Sequence, residues 1–284
     1  MKIIFFGTPD YVVPIAEALR TGFSRKDADG LRSVVTQAPK LVGRKQERQH
    51  SPIDDWSYKY KIRAIFNLDS VPEADLGIVA AYGKIIPQSV IDKFKYGILN
   101  IHPSLLPRYR GASPVQTAIA AGETVTGVTI IKMDSEVDHG PIISSFTEKI
   151  LPNDTTGSLR TRLFERSAQF LVDLIPSYIN GKITPKPQDE SQATFTKILN
   201  KEDGFIDLTS HQSPTTVHNF VRAMDPWPGA WTKTKIKNEE LRIKILKAHL
   251  KDKELILDQV QLEGRNPVSW EQFKAGHLDH KFVG

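Results

Sequence analysis

Short apolar runs that alternate with helical or loop sequence fill the first part of the chain and constrain its fold more than any other feature. They lie at residues 2–6, 33–36, 62–66, 76–81 and 97–101. Each has the length of a buried strand. Strands that alternate with helical segments predict an α/β fold with a doubly wound, mostly parallel sheet that is covered on both faces.

The sequence changes character after Gly127. Two β-rich runs, 128–133 and 141–150, are joined by residues 134–140, which suggest a hairpin-type connection. Apolar residues at helical spacing then predict a helix over 155–180. These elements are expected to belong to the same domain as the parallel sheet.

The C-terminal third predicts a separate, smaller unit. The polar stretch around Pro185 and Pro187 has the composition of a linker. A helix and short strands separated by turns follow and predict a small β-barrel, with the elements at 214–223, 230–236, 241–248 and 254–262. We therefore expect a first domain, a linker and a second domain at residues 1–188, 189–203 and 204–284.

Composition excludes several classes of protein. The chain has no cysteine, which rules out disulfides and cysteine-based zinc sites. No apolar stretch approaches the roughly 20 residues that cross a bilayer, and the N-terminal MKIIFFGTPD lacks the pattern of a signal peptide. We therefore expect a cytoplasmic protein without membrane contact. The net charge of +5 is compatible with a nucleic-acid partner but does not require one.

The segment GILNIHPSLLPRYRGASP, at residues 97–114, holds the densest set of chemically useful side chains. Its apolar strand carries Asn100 and His102 two positions apart, so both side chains lie on the same face. An Asn amide can donate to a developing oxyanion, and a His can give or take a proton near neutral pH. The end of a buried strand in a parallel sheet is also where such folds place their sites.

Asp138 is the best-placed acid to accompany these two residues, since it lies in the turn between the two β-rich runs. An aspartate beside a histidine favours the charged imidazolium and orients the ring. Sequence spacing alone does not bring Asp138 to His102. On the residues alone, the alternative that Asn100 and His102 merely tie the following loop to the strand end stays open.

NIHPSLLPRYRG resembles the signature of the formyltransferases that use 10-formyltetrahydrofolate, and Asp138-His139-Gly140 matches the Asp-x-Gly turn of that family. Other segments similar to the family are FFGTPDYVVPIAEAL at the N-terminus, IVAAYGKIIP, KEDGFIDL and DPWPGAWT. The last two lie in the linker and C-terminal region, and they favour the branch that acts on methionyl-tRNA.

The resemblance implies a Rossmann-like catalytic domain followed by an OB-like C-terminal domain. It also implies formyl transfer from 10-formyltetrahydrofolate to the α-amine of initiator methionyl-tRNA, for translation initiation. Asn100 and His102 would hold the tetrahedral oxyanion, and His102, charge-stabilised by Asp138, would pass protons. The folate slot would be lined by a strand end and by the turn of the catalytic acid, at Ala81, Tyr82, Gly83, Ser135 and Asp138. The resemblance implies no metal, and no obligate protein partner is inferred.

The basic stretch at residues 36–52 takes the place of a loop that contacts the tRNA acceptor end in that family. Arg44 and Lys45 are therefore expected to bind tRNA, since Arg and Lys suit phosphates and exposed base edges. The stretch departs from the family pattern, because Ala38-Pro39 stands where the family has an Asp. A solvated charged loop is the alternative interpretation.

The C-terminal unit departs from the family by its shortness, since HLKDKE stands where relatives usually carry an extra hairpin. Basic residues alternate along its predicted strands and would share one barrel face: Lys233, Lys235, Lys237, Arg242, Lys244 and Lys247. Such alternation is also typical of any half-buried strand. A tRNA-binding face and an ordinary solvated strand face are therefore both open.

Other functions fit parts of the sequence. An enzyme that formylates an amino-sugar nucleotide would share Asn100, His102 and Asp138 but would differ at the basic stretch and in the C-terminal domain. A dinucleotide-binding module is disfavoured because the first turn is Gly-Thr-Pro-Asp rather than a glycine-rich fingerprint. An RNA-binding module without activity would have no use for the Asn-x-His strand end.

Overall fold

The computed structural model describes residues 1–23, 30–43, 46–237 and 239–283. The chain forms two compact units. The first comprises Met1–Arg110, Gly127–Glu148 and Arg160–Phe195, and the second comprises Gly111–Thr126, Lys149–Leu159 and Thr196–Gly284. The domain boundaries expected from the sequence, at residues 188 and 204, stay a prediction.

The strands of the described residues are, in chain order, β1 (Lys2–Gly7), β2 (Gly30–Val35), β3 (Lys40–Val42), β4 (Glu47–Gln49), β5 (Arg63–Ile65), β6 (Leu76–Ala80), β7 (Ile98–His102), β8 (Arg110–Gly111), β9 (Val125–Lys132), β10 (Ile142–Lys149), β11 (Phe195–Thr196), β12 (Ala230–Ile236), β13 (Glu239–Lys251), β14 (Glu254–Leu262), β15 (Val268–Ser269) and β16 (Lys281–Val283).

The α-helices are α1 (Val13–Gly22), α2 (Pro52–Lys59), α3 (Gln88–Ile91), α4 (Pro114–Ala120), α5 (Thr156–Ile179), α6 (Pro214–Met224) and α7 (Trp270–Gly276). Short 3₁₀ helices lie at Asp10–Val12, Leu68–Ser70, Glu190–Gln192 and Lys201–Gly204. Within the described residues, no helix is both long enough and apolar enough to cross a membrane.

The first unit is built on a seven-stranded sheet with the strand order β10-β9-β7-β6-β1-β2-β5. The five strands from β7 to β5 in this order are parallel to their neighbours. β9 is antiparallel to β7, with Thr129 opposite His102. The predicted α/β class with a mostly parallel sheet is therefore confirmed.

Two central strands of this sheet are buried on both faces. Residues 3–6 of β1 expose none of their surface, and every residue of β6 is buried. Consecutive rather than alternate burial is typical of a parallel sheet with helices on both sides. In α5, Leu163, Leu171 and Ile175 are also fully buried, and each contributes roughly 1.5–3 kcal/mol of hydrophobic stabilisation. This core holds the carboxyl end of β7 in a fixed position.

The loop that follows β7 is fixed by one buried threonine. Thr129, on the neighbouring strand β9, is 1% exposed. Its hydroxyl donates to the Ser104 carbonyl at 2.7 Å and accepts from the Leu106 N–H at 3.0 Å. The Ser104 hydroxyl in turn donates to the Arg108 carbonyl at 2.7 Å. The SLLPRYRG loop is thus tied to β9 as well as to its own strand.

The basic stretch after β2 contains two short paired strands, where the sequence indicated a loop. β3 pairs antiparallel with β4, so that Lys40 lies opposite Gln49 and Val42 opposite Glu47. Every residue of both strands is exposed. Strands without a buried face carry no alternating apolar pattern, which is why the sequence did not reveal them.

The second unit carries a five-stranded antiparallel sheet with the order β15-β14-β13-β12-β16. Asp252 and Lys253 connect β13 to β14 and have φ values of 50° and 68°. Two consecutive left-handed residues form the tight turn that suits a twisted hairpin. The short HLKDKE segment therefore joins the two strands directly, and the sheet fits the predicted small barrel.

The KEDGFIDL and DPWPGAWT segments of the second unit pack against each other. Phe205 and Trp231 form an isolated β-bridge, and their ring centroids are 4.8 Å apart. A Cβ atom at Gly204 would overlap the Gly229 carbonyl oxygen. The two segments therefore meet through their backbones, a contact that only glycine at position 204 permits.

We predict that Thr129→Val destabilises the first unit by about 1–3 kcal/mol, because the buried Leu106 N–H and Ser104 carbonyl would both lose a partner. Urea denaturation measures the change. Thr147→Val is the matched control, since Thr147 lies exposed on β10, and it should leave the unfolding midpoint unchanged. Equal midpoints for the two variants would contradict the role given to Thr129.

Candidate active site

Asn100 and His102 lie at the carboxyl end of β7, in the middle of the sheet. Asn100 is level with Val79 of the parallel strand β6 and with Ile131 of the antiparallel strand β9. Asn100 is half-buried and His102 is 4% exposed. Residues of a strand that are two positions apart share one face. The expected common orientation of the two side chains therefore follows from the strand itself.

Asp138 reaches both of these side chains from the turn between β9 and β10. Its Oδ1 accepts a hydrogen bond from Asn100 Nδ2 at 2.9 Å. Its Oδ2 lies 3.4 Å from His102 Nδ1. The structure thus brings together the three residues that the sequence selected, over a separation of 38 positions between Asn100 and Asp138. One carboxylate is shared between an amide and an imidazole.

A backbone carbonyl fixes the tautomer of His102. His102 Nε2 lies 2.8 Å from the Tyr109 carbonyl oxygen. Because a carbonyl only accepts hydrogen bonds, Nε2 carries a proton and donates it. The other ring nitrogen, Nδ1, faces Asp138. Sequence reasoning missed Tyr109 because the contact uses a main-chain oxygen, which leaves no mark on residue type.

The segment 81–83 lies just past the end of β6, the neighbour of β7. Ala81 and Gly83 have φ values of 45° and 78°. The Tyr82 ring points into the core, where it packs edge-on against Phe6 at 5.8 Å, and burial raises the pKa of its hydroxyl. The Tyr82 carbonyl accepts from the Thr8 hydroxyl at 3.1 Å. Only backbone and small side chains of this segment are thus available to a ligand.

The turn that carries Asp138 has its own internal bonds. Asp134 accepts from the Glu136 N–H at 3.0 Å and lies 2.7 Å from His139 Nδ1, and this carboxylate raises the pKa of His139. Ser135 is exposed. Asp138 has a left-handed φ of 52°, which turns its carboxylate back toward β7. Among the described residues, no group of three or more His, Asp or Glu is arranged to hold a metal ion.

Arg44 and Lys45, the residues predicted to bind tRNA, lie outside the described residues. Lys40 and Arg48, on the paired strands β3 and β4, are exposed. In the second unit, Lys233 lies directly opposite Arg242 in the β12–β13 register. These two cations therefore share a face, as the alternation predicted.

Acidic residues partly neutralise that face. Lys233 Nζ lies 2.9 Å from Glu240, and Arg242 lies 3.4 Å from Glu202. The Arg242 guanidinium also stacks 4.2 Å from the Trp231 ring centroid. Such exposed pairs are weak and are screened by salt, so the cations remain able to exchange partners.

Family comparisons match both units. The family described as formyl transferase matches residues 1–175, and the family described as formyl transferase, C-terminal domain, matches residues 198–256. The chain is 41% identical over 244 residues to a methionyl-tRNA formyltransferase of Chloroflexus aggregans, an alignment that covers 82% of this chain and 76% of the relative. A methionyl-tRNA formyltransferase of Roseiflexus sp. is 39% identical, with 82% and 73% covered.

Solved structures share the fold at lower identity. An N-formyltransferase from Helicobacter canadensis, in complex with folinic acid and dTDP-3-aminofucose, has a TM-score of 0.68 and 18% identity, with 95% of this chain and 98% of that chain covered. A methionyl-tRNA formyltransferase from Clostridium thermocellum has a TM-score of 0.60 and 19% identity, with 92% and 98% covered. At this identity the likeness establishes the fold.

We predict that Gly140→Ala displaces the Asp138 turn and costs about 1–3 kcal/mol. The reason is steric, since an added Cβ atom would overlap the Lys132 carbonyl oxygen. Urea denaturation measures the loss. Gly276→Ala is the control, because a Cβ atom there meets no atom within 4 Å. If Gly140→Ala and Gly276→Ala were equally stable to urea, the close approach at Gly140 would not contribute to stability.

Proposed function

The chain belongs to the formyl transferase family, and we propose that it transfers a formyl group from 10-formyltetrahydrofolate to the α-amine of initiator methionyl-tRNA. The observation that carries the proposal is the Asp138 carboxylate in contact with both Asn100 and His102. The identity of 41% to a methionyl-tRNA formyltransferase supports the choice of the amine. A tRNA substrate for translation initiation would be met in the cytoplasm.

The folate would lie beside the ends of β6 and β7. It supplies a formyl carbon attached to a nitrogen that can leave. Ala81 and Gly83 present left-handed backbone and no large side chain there, which suits a flat ring that hydrogen bonds with main-chain groups. Ser135 is exposed in the Asp138 turn and would line the same slot. Tyr82 would contribute through its backbone, because its ring is buried.

Asn100 would stabilise the oxyanion that develops when the amine attacks the formyl carbon. One N–H of its side-chain amide donates to Asp138 Oδ1, which fixes the plane of the amide. The second N–H of the same nitrogen is not used by that bond and would donate to the oxyanion. Preorganised donors of this kind typically contribute a factor of about 10²–10³ to the rate.

His102 would move the proton that the attacking amine must lose. Its Nε2 proton is held by the Tyr109 carbonyl, so the exchange takes place at Nδ1. Asp138 would stabilise the imidazolium that forms when Nδ1 takes the proton. His102 would then give the proton to the folate nitrogen, whose bond to the formyl carbon breaks. One C–N bond forms and one C–N bond breaks, and the proton that the amine loses is the proton that the folate nitrogen gains.

For substrate binding we propose a division between the two parts of the chain. Residues 1–188 would carry the chemistry, 189–203 would link, and 204–284 would bind tRNA. Arg44 and Lys45 would contact the acceptor end of the tRNA. The cations around Lys233 and Arg242 would add attraction to phosphates that depends on salt.

The direct test is a transfer assay with 10-formyltetrahydrofolate and charged initiator tRNA, with formyl-methionine as the product measured. The same assay with a dTDP-linked amino sugar tests the alternative substrate. We expect formyl transfer to the tRNA and none to the sugar. Transfer to the sugar alone, or to neither amine, would overturn the proposal.

We predict that His102→Ala and Asp138→Asn each lower kcat by about 10²-fold or more, because one removes the proton carrier and the other its stabilising charge. The affinity for tRNA, measured by filter binding, should stay near that of the unmodified protein. Asp173→Asn is the control and should leave kcat unchanged, since Asp173 is exposed on α5 in the first unit. Turnover that survived in His102→Ala would show that the proton is carried elsewhere.

A further inference from the structure

We propose that Gln188 is a positioning residue that sets Asp138 against Asn100 and His102, and that Arg110 and Glu190 hold Gln188 in the required orientation. The inference rests on the proposed function for its kinetic readout. It concerns residues of the first unit alone. The segment that carries Gln188 and Glu190 follows α5, in sequence whose composition indicated a linker.

Gln188 hydrogen-bonds to three consecutive carbonyl groups of the Asp138 turn. Its side-chain Nε2 donates to the carbonyls of Asp138, His139 and Gly140 at 2.8, 2.9 and 2.8 Å. Three carbonyl oxygens that converge on one point repel one another unless a donor lies between them. The left-handed φ of 52° at Asp138 belongs to this arrangement. The Gln188 amide therefore stabilises the backbone shape from which the Asp138 carboxylate projects.

Arg110 decides which way the Gln188 amide points. Arg110 Nε and Nη2 donate to Gln188 Oε1 at 3.1 and 2.8 Å. Because a guanidinium only donates, the amide oxygen must face Arg110 and the amide nitrogen must face the turn. The Arg110 side chain is 3% exposed. Its orientation is therefore fixed by packing as well as by hydrogen bonds.

Glu190 completes this series of side-chain contacts by pairing with Arg110. Arg110 Nη1 lies 2.8 Å from Glu190 Oε2, and Arg110 Nη2 lies 2.6 Å from Glu190 Oε1. This two-point pair raises the pKa of Arg110 and lowers the pKa of Glu190. His139 Nε2 also lies 3.6 Å from Glu190 Oε1. The buried guanidinium is thus compensated, which a charge in this position requires.

The catalytic contacts leave little room for movement of the turn. Asp138 Oδ2 is 3.4 Å from His102 Nδ1 while its Oδ1 is 2.9 Å from Asn100 Nδ2. A displacement of about 1 Å would break one of the two, and misplacement of that size can cost a factor of 10² in rate. Within the part of the chain that the structure describes, the Gln188 side chain bonds to Arg110 and to the turn, and not to Asn100 or His102. Its effect on them would pass through Asp138.

The first experiment compares Gln188→Ala and Gln188→Glu with the unmodified full-length protein. Gln188→Glu keeps the oxygen that faces Arg110 but puts a carboxylate oxygen against three carbonyls. We expect both variants to lower kcat by about tenfold or more, with KM for methionyl-tRNA within about twofold. Gln192→Ala is the matched control, because Gln192 is exposed and bonds only to Asp189 among the contacts described. It should leave kcat unchanged.

A double-mutant cycle separates positioning from general destabilisation. In an Asp138→Ala background, Gln188→Ala should change the residual single-turnover rate by less than about twofold, because the residue through which it acts is gone. If Gln188→Ala lowered the rate as much in Asp138→Ala as it does in the protein that keeps Asp138, the proposal would be overturned. Thermal unfolding of each variant shows whether the fold is retained, and Gln188→Glu provides the comparison if Gln188→Ala does not fold.

Hydrogen–deuterium exchange gives a readout that does not need activity. Peptides that cover residues 133–141 should exchange faster in both Gln188 variants and not in Gln192→Ala, while peptides of β1 and β6 stay protected. Faster exchange without formyl transfer by the unmodified protein would refute the proposed function and leave the positioning inference standing. Formyl transfer with unchanged exchange and unchanged kcat in the Gln188 variants would refute the inference alone.

Discussion

The Asp138 carboxylate, shared between the Asn100 amide and the His102 ring, is the interaction around which the first unit is arranged. A carboxylate in a half-buried position needs donors, and each oxygen here has one potential donor on β7. The same two contacts orient the Asn100 amide and hold the His102 ring beside a carboxylate. The site is thus held together by the bonds that its proposed chemistry uses, so structural and catalytic roles of the three residues coincide.

Much of the support for this arrangement comes from bonds between side chains and backbone groups. The Tyr109 carbonyl fixes the His102 tautomer, and Thr129 ties the intervening loop to β9. On the other side, Gly140 allows β9 to approach the turn, and the Gln188 amide collects three turn carbonyls. Rigid strands supply the reference frame, since residues 3–6 of the central strand are fully buried. Precision at the site therefore depends on contacts one step away from it.

The second unit is organised by different means. The approach of Gly204 to Gly229 joins two separate chain segments, and the left-handed pair at Asp252 and Lys253 shortens one hairpin to a two-residue turn. Its cations lie on exposed strand faces, but Lys233 and Arg242 each have an acidic neighbour. A partly neutralised face exerts a weaker and more salt-dependent attraction on phosphates than its count of basic residues suggests.

The sequence by itself determined the α/β class and the sheet, because buried parallel strands are apolar along their whole length. It also determined the pairing of Asn100 with His102, because residues two apart on a strand share a face. It selected Asp138 by its place in a turn and by resemblance, without a distance. Only the tertiary structure decided that Asp138 lies within 3.4 Å of His102, that Tyr82 turns into the core, and that Tyr109 and Gln188 act on the site. Those contacts join residues far apart in the chain or use main-chain oxygens, and neither kind of contact is encoded by residue type or local spacing.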